Sequence, residues 1–434
     1  MLKRKIHQEL LAWKESKKKK CLVLQGARQV GKTFSVREFA KTYDEFLEIN
    51  FKETPKDAEI FSGNLKVDEL LFSIKLRYPG KKLTPGKTLI FLDEIQECEQ
   101  ALTSLKFWTQ DGRFDVIASG SLLGIDYKRA SSYPVGYVSY LLMYGLDFEE
   151  FLWSQKVSDN TIAKLKELFL NREPVPSAIH SQMMIYFRLF LSLGGMPEVV
   201  WQFASSNDLV EADKVQRELL QGYLYDIAHY ATAEEKAKAE KCFLSLAGQL
   251  LDKENHKFQY KEIEKGARAQ KYYSSIEWLL KADIIRLANK VTSLNYDLKD
   301  YAQDNFFRAY ASDLSLLIAM KDFSLKQHIL ENTLLGNTKG GLYECAVADL
   351  LIKKGYPMFF YKNETTKKEI DFLIQRSGKV IPIEVKSGSA KSISLSKTMK
   401  EEKGINEAYR FTDGNVGTNE DNIITMPLYM AMFL

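Results

Sequence analysis

The sequence predicts an α/β protein. A parallel sheet with helices on both faces occupies the first 150 residues, a helical stretch follows, and a second α/β unit closes the chain. Three observations carry this reading. Short apolar runs without polar alternation recur between helical stretches up to about residue 120. Carboxylates or Gly/Ser residues close those runs. From about Leu325 the strand–helix pattern returns after a long helical interval.

In order, Cys21–Leu24 is apolar and ends at Gln25-Gly26, Phe34–Tyr43 has helical spacing, and Phe46–Phe51 reads as a second strand. Leu89–Leu92 is closed by Asp93-Glu94, and Val116–Ala118 by Ser119-Gly120-Ser121. Non-alternating strands separated by helices indicate a parallel sheet covered on both faces. Right-handed crossovers bring the strand C-terminal ends to one edge, where such sheets bind ligands. From Glu149 to Glu235 the pattern is helical, broken at Gly194-Gly195-Met196-Pro197. Residues 236–295 read as helix Cys242–Leu251, extended Phe258–Tyr260, helix Ala267–Leu280 and extended Ile284–Val291, an order that suits a winged helix. Arg268, Lys271, Tyr272 and Tyr273 open its second helix as a DNA reader's would. Glu277 and Asp283 follow, and winged helices also serve as protein–protein modules. The last unit has helix Tyr343–Lys354, strands Met358–Tyr361, Glu369–Ile374 and Val380–Val385, helix Ser394–Lys403 and a strand near Ile423–Met426.

With 434 residues, two to four domains are expected. A composition of 45% hydrophobic and 27% charged residues excludes a disordered chain, a collagen and a disulfide scaffold. The net charge of +4 does not by itself imply nucleic acid. Basic charge is concentrated in residues 1–20, with eight Lys/Arg against two acids, and in residues 362–400, with nine against four. Either patch is a solvated face or a phosphate contact. The four cysteines lie far apart and the five histidines have no ligand spacing, as in a reduced cytoplasmic protein without structural zinc. The N-terminus lacks an apolar signal core. The longest uncharged run, Ala130–Leu146, contains Pro134, Gly136 and Gly145 and falls short of the ~20 apolar residues of a membrane helix.

The sharpest motif is Gly26-Ala27-Arg28-Gln29-Val30-Gly31-Lys32-Thr33, which matches G-x-x-x-x-G-K-[ST] between an apolar strand and a helix. Gly26 and Gly31 let the backbone curl so that N–H groups face phosphate. Lys32 adds a point charge for the β/γ-phosphates, Thr33 can ligate Mg²⁺, and the helix contributes its positive N-terminus. About sixty residues on, Asp93 at a strand tip would hold Mg²⁺ through water, and Glu94 would polarise the attacking water. Ser119 ends the next strand and either contacts the γ-phosphate or the water, or is plain turn chemistry. Arg113 and Arg129 are the arginines in the region of an arginine finger.

These residues make the chain resemble the bacterial and archaeal AAA-type ATPases with a C-terminal nuclease-like domain. The matching pieces are the phosphate loop, Ile49-Asn50-Phe51, Leu92-Asp93-Glu94-Ile95-Gln96, Ser119-Gly120-Ser121-Leu122-Leu123, Leu146-Asp147-Phe148-Glu149-Glu150-Phe151, Gly194-Gly195-Met196-Pro197-Glu198 and Tyr225-Asp226-Ile227. Asp313, Leu342-Tyr343-Glu344, Glu369-Ile370-Asp371-Phe372 and Ile383-Glu384-Val385-Lys386-Ser387-Gly388 follow in the family's order. The resemblance implies an AAA-type ATPase domain over residues 1–150, a helical lid over 151–235, a winged-helix-like segment over 236–320 and a PD-(D/E)XK-like α/β domain over 321–434. It implies ATP as ligand. Many members carry Gly-Arg where this chain has Gly136-Tyr137. If that arginine senses the γ-phosphate, the role here is absent or moves to Arg129.

In the terminal domain, Asp371 and Glu384 sit on neighbouring strands. Alternation puts Glu384 and Lys386 on one face, and Glu344 comes from the preceding helix. Two carboxylates and a lysine are the parts of a Mg²⁺ nuclease: the acids bind metal and the lysine orients water. An active nuclease, a binding-only nuclease fold and coincidence of a short motif all stand as readings. The expectation is an ATPase with ATP and Mg²⁺ as cofactors, coupled to a domain directed at DNA, with a homo-oligomer as a further partner state. The alternative is a nucleotide-sensing interaction protein with little turnover and an inactive nuclease fold.

Overall fold

The computed structural model describes residues 2–120, 134, 136–230, 233–252, 257–388, 392–402, 404–417 and 422–434. It divides into two compact units, one of Arg4–Tyr144 with Lys281–Asp283, the other of Met1–Lys3, Gly145–Leu280 and Ile284–Leu434. The segment boundaries expected at 151, 236 and 321 all lie within the second unit.

The first unit is built on β1 (Cys21–Gln25), β2 (Glu45–Asn50), β3 (Thr88–Asp93), β4 (Asp115–Gly120) and β5 (Val138–Leu142), in the order β2-β3-β4-β1-β5, all parallel. Alternate side chains feed two cores. Val23, Ile90 and Leu92 pack with Leu105 and Trp108 on one face, while Leu22, Leu89 and Phe91 pack with Val36 and Phe39 on the other. Every residue of β3 is buried, which is why its sequence is continuously apolar. Each such side chain contributes roughly 1.5–3 kcal/mol. The four expected strands are present. β5 is additional: it is an edge strand with Tyr140 and Leu142 exposed, so its apolar residues do not mark a buried face.

The second unit carries a mixed sheet. Its strands are β6 (Ile285–Val291), β7 (Ala302–Ala311), β8 (Met358–Asn363), β9 (Lys368–Arg376), β10 (Lys379–Lys386), β11 (Ala408–Thr412) and β12 (Ile423–Pro427), in the order β12-β11-β10-β9-β8-β6-β7. The helices Ala233–Leu251 and Ala269–Lys281 precede the antiparallel pair β6/β7, as a winged helix would have them. That pair is not separate, because β6 continues in parallel with β8. Phe258–Tyr260 forms no strand; Tyr260–Glu262 is a 3₁₀ turn. Tyr272 is 1% exposed and packed near Tyr260, so this side chain belongs to the core and not to a reading face.

A buried ion network ties this unit together. Lys353 Nζ lies 2.7 Å from both Asp313 Oδ2 and Asp349 Oδ2 and donates to the Leu146 carbonyl at 3.0 Å. Asp313 Oδ1 accepts from the Gly195 and Ser315 amides, each at 2.8 Å. A Cβ at Gly194 or Gly195 would strike backbone atoms of Ser315 or Leu146, which accounts for the paired glycines.

Candidate functional site

The phosphate loop leaves β1 and enters the helix Lys32–Ala40. Gly26 has φ 155° and Gly31 φ 96°. A Cβ on Gly26 would collide with the Met143 carbonyl oxygen, so glycine is required by both conformation and space. Lys32 is 8% exposed, and its Nζ donates to the loop carbonyls of Gly26 (2.9 Å) and Ala27 (2.8 Å). Burial pulls its pKa below the ordinary lysine value, against the opposing pull of Glu94 and Asp93.

Asp93 is the hub of the strand tips. Its Oδ2 accepts from Thr33 Oγ1 at 2.9 Å and from Asn50 Nδ2 at 3.1 Å. Its Oδ1 accepts from Ser119 Oγ and from the Glu94 amide at 3.1 Å. β4 lies between β1 and β3, which puts Ser119 between the two motifs. Ser119 is 1% exposed, and its hydroxyl orients Asp93 in this arrangement. Glu94 takes the left-handed conformation, φ 53°, and its Oε2 accepts from Gln96 Nε2 at 2.5 Å. A Cβ at Gly120 would meet Gln96 Oε1 at 2.6 Å, so Gly120 makes room for the side chain that holds Glu94. Thr33, Asp93, Ser119 and Lys32 thus converge, with Glu94 beside them. The roles of Asn50 and Gln96 were not legible in the sequence. A polar residue closing each strand at the ligand edge was the available signal.

Arg113 is not at this edge. It precedes β4 and pairs with Asp68 at 2.6 Å and Asp111 at 2.7 Å, at the opposite end of a parallel sheet from Asp93. Arg129 and the piece Ser121-Leu122-Leu123 lie outside the described residues.

Residues 18–152 match the family model described as an AAA domain. This segment is an AAA-type domain. Residues 184–327 and 339–430 match two models described only as domains of unknown function. No curated protein matches. Similar solved structures include a Walker-type ATPase of Pyrococcus abyssi, 14% identical, covering 74% of this chain and 96% of that one with a TM-score of 0.43. Another is the Aeropyrum pernix ORC1 protein in complex with DNA, 12% identical, covering 76% of this chain and 93% of that one with a TM-score of 0.28. A third is AMPPCP-bound DnaA from Aquifex aeolicus, 12% identical, covering 64% and 86% with a TM-score of 0.29. These are loose likenesses; the AAA-type assignment rests on the family model and the strand-tip geometry.

In the second unit, the expected acidic residues converge around a residue that was not expected. Arg308 on β7 has a side chain only 3% exposed; it donates to Glu344 Oε1 at 2.8 Å, to Glu369 Oε1 at 2.7 Å and to the Asp371 carbonyl at 3.3 Å. Tyr310 Oη donates to the same Glu344 oxygen at 2.7 Å. Asp371 Oδ2 accepts from the Val385 amide at 2.9 Å, and Lys386 Nζ lies 2.8 Å from Glu384 Oε1. Burial, then Glu344, pushes Asp371 up to about 7, opposed by Arg308 and Lys386. Among the described residues no group of three or more His, Cys, Asp or Glu side chains is placed to hold a metal ion. Asp371 Oδ2 and Glu384 Oε1, from the two residues expected as metal ligands, are engaged by a backbone amide and a lysine. The basic excess of residues 362–400 is also partly spent: Lys362, Lys368 and Lys386 pair with Glu369, Glu401 and Glu384. A lone arginine in the apolar run Phe306-Phe307-Arg308-Ala309-Tyr310-Ala311 was the sequence signal for the cluster's centre.

Among the described residues no helix is long and apolar enough to cross a membrane.

Proposed function

We propose that the chain is an ATPase that binds ATP on Gly26–Thr33, hydrolyses it with Glu94 as the water-orienting group, and couples turnover to a nuclease-like C-terminal domain directed at DNA. The observation that carries the reading is the convergence of Thr33, Asn50 and Ser119 on one carboxylate, Asp93, at the ligand edge of the AAA-type sheet. The loop N–H groups and helix N-terminus bind the phosphates. Lys32 exchanges two neutral carbonyl partners for phosphate oxygens. Thr33 and Asp93 would hold Mg²⁺, which when bound neutralises charge on the phosphate oxygens. Few protein ligands suffice, because Mg²⁺ keeps waters and takes phosphates. Ser119 and Asn50 fix the rotamer of Asp93, and Gln96 fixes that of Glu94.

The test is ATP turnover by the full chain with and without single- and double-stranded DNA, in wild type and Glu94→Gln. Turnover that DNA stimulates and the variant loses, with ATP binding retained, supports the reading. Gly136-Tyr137, at the place of a family arginine, favours the second reading of a nucleotide-sensing protein. ATP-dependent oligomerisation without turnover in wild type decides for it.

A further inference from the structure

The acidic cluster of the second unit has the carboxylates of a metal site and the electrostatics of a filled one. Glu344, Glu369, Asp371 and Glu384 carry four negative charges when ionised. Arg308 is 2% exposed and lies at the convergence of three of them: its Nη1 is 2.8 Å from Glu344 Oε1 and 3.9 Å from Asp371 Oδ1, and its Nη2 is 2.7 Å from Glu369 Oε1. Its plane stacks on Phe360, 4.6 Å from the ring centre. A hard divalent cation needs carboxylate oxygens about 2.0–2.6 Å from one point. The guanidinium holds these oxygens at hydrogen-bond distance from nitrogen instead, so the residues as they stand do not fit a metal.

We infer that Arg308 is the built-in cation of this cluster, standing where a divalent metal would stand, and that the domain is closed to metal-dependent chemistry while that arginine is present. Two further facts point the same way. Glu384 is 5% exposed, and its Oε1 is taken by Lys386 Nζ at 2.8 Å, so the fourth carboxylate also faces a side-chain cation of this chain. The charges also count out. Arg308, Lys362 and Lys386 give three positive charges against four negative. Without Arg308 two positive charges face four negative, a deficit of two that one divalent ion neutralises. Arginine suits the place because its fork serves two carboxylates at once and stays charged when buried. The fold thus keeps its carboxylates as a sealed ion-pair network, and a binding role for the domain follows from its surface and not from this centre.

The test uses the nucleotide-free full chain with Mn²⁺ as the probe, counted by electron paramagnetic resonance. Wild type and Asp371→Asn should take up Mn²⁺ identically, because the cluster contributes nothing to either. Arg308→Gln should bind one additional Mn²⁺ at least tenfold more tightly than wild type, and Arg308→Gln/Asp371→Asn should lose it. Wild-type uptake that Asp371→Asn abolishes overturns the inference, as does a folded Arg308→Gln with no Asp371-dependent uptake. If Arg308→Gln does not fold, the comparison of wild type with Asp371→Asn still decides whether the native cluster is closed. ATP titration of the same preparations reports on the nucleotide site separately, so failure of one reading is not failure of the other.

Discussion

Replacing Lys353 by methionine should destabilise the second unit by about 3 kcal/mol, the low end of the range for breaking a buried ion pair from one side. The Lys353 side chain is 1% exposed, and its Nζ has two carboxylates at 2.7 Å and the Leu146 carbonyl at 3.0 Å. Methionine fills the volume of the stem but removes all three interactions. The low end applies because burial, then Asp313, already pushes Asp349 up to about 7. Without the lysine, Asp349 keeps its proton and one anion remains. That anion, Asp313, still accepts two backbone amides at 2.8 Å. The assay is urea unfolding followed by Trp153, Trp201 and Trp278 fluorescence, with hydrogen exchange at the Gly195 amide as the local readout. The variant should unfold at lower urea and exchange Gly195 faster. The double variant Lys353→Met/Asp349→Leu should recover part of the loss, since it removes a buried polar group left without its cation. A variant that unfolds with wild type and still protects Gly195 refutes the reasoning.

Four other outcomes are expected. Lys32→Ala should weaken Mg-ATP binding at least tenfold, about 1.4 kcal/mol, by calorimetry; superimposable titrations exclude the phosphate role. Glu94→Gln should retain ATP binding and lose turnover by about two orders of magnitude, measured by phosphate release. Gly26→Ala should abolish ATP binding in equilibrium dialysis, because a Cβ there collides with the Met143 carbonyl. On pH, Asp349 has a folded value of about 7 against 3.8 for the free group. The native state therefore binds more protons in that window, and this group's contribution to stability falls as pH rises from about 4 to 7; unfolding midpoints of Asp349→Asn should depend less on pH there than wild type's.

The candidate nucleotide site was legible because its residues are local in sequence. The loop is one contiguous motif, and Asp93-Glu94 abuts a strand whose burial on both faces makes it continuously apolar. Asn50 and Gln96 were not legible in their roles, since each acts on another side chain across a strand pairing or a turn. In the second unit the sequence marked β6, β8, β9, β10 and β12 but not β7 or β11. β7 opens on the half-buried Ala302 and Gln303 and the exposed Asp304, Asn305 and Phe306 before its buried half, so no single period runs through it. β11 carries Arg410, whose guanidinium is satisfied by Thr425 Oγ1 at 2.7 Å on β12, a partner fifteen residues away. Arg308 escaped for the same reason: its three carboxylates come from a helix and a strand that follow it by 36 to 63 residues.

Two of the buried cations, Lys32 and Arg308, show how similar side-chain chemistry serves opposite ends. Lys32 is buried, yet its hydrogen-bond partners are two neutral loop carbonyls. Each such bond is worth about 0.5–1.5 kcal/mol net, so on the proposed function an incoming triphosphate, with formal charges and more oxygens, would outcompete them. Burial has already lowered the pKa of this lysine, and a phosphate that restores full charge stabilisation adds to the driving force. Arg308 instead has two carboxylate partners at 2.7–2.8 Å and a third carboxylate at 3.9 Å. Burial works against its charge, but the surrounding acids hold the guanidinium above its ordinary value. Hydrogen bonds to charged groups are worth about 1.5–3 kcal/mol each, and removing either side strands a buried charge. The first cation is built to change partners and the second to keep them. On the proposed function, ligand-dependent chemistry accordingly belongs at Lys32, and the inferred role of Arg308 makes its cluster fixed architecture until a substitution opens it.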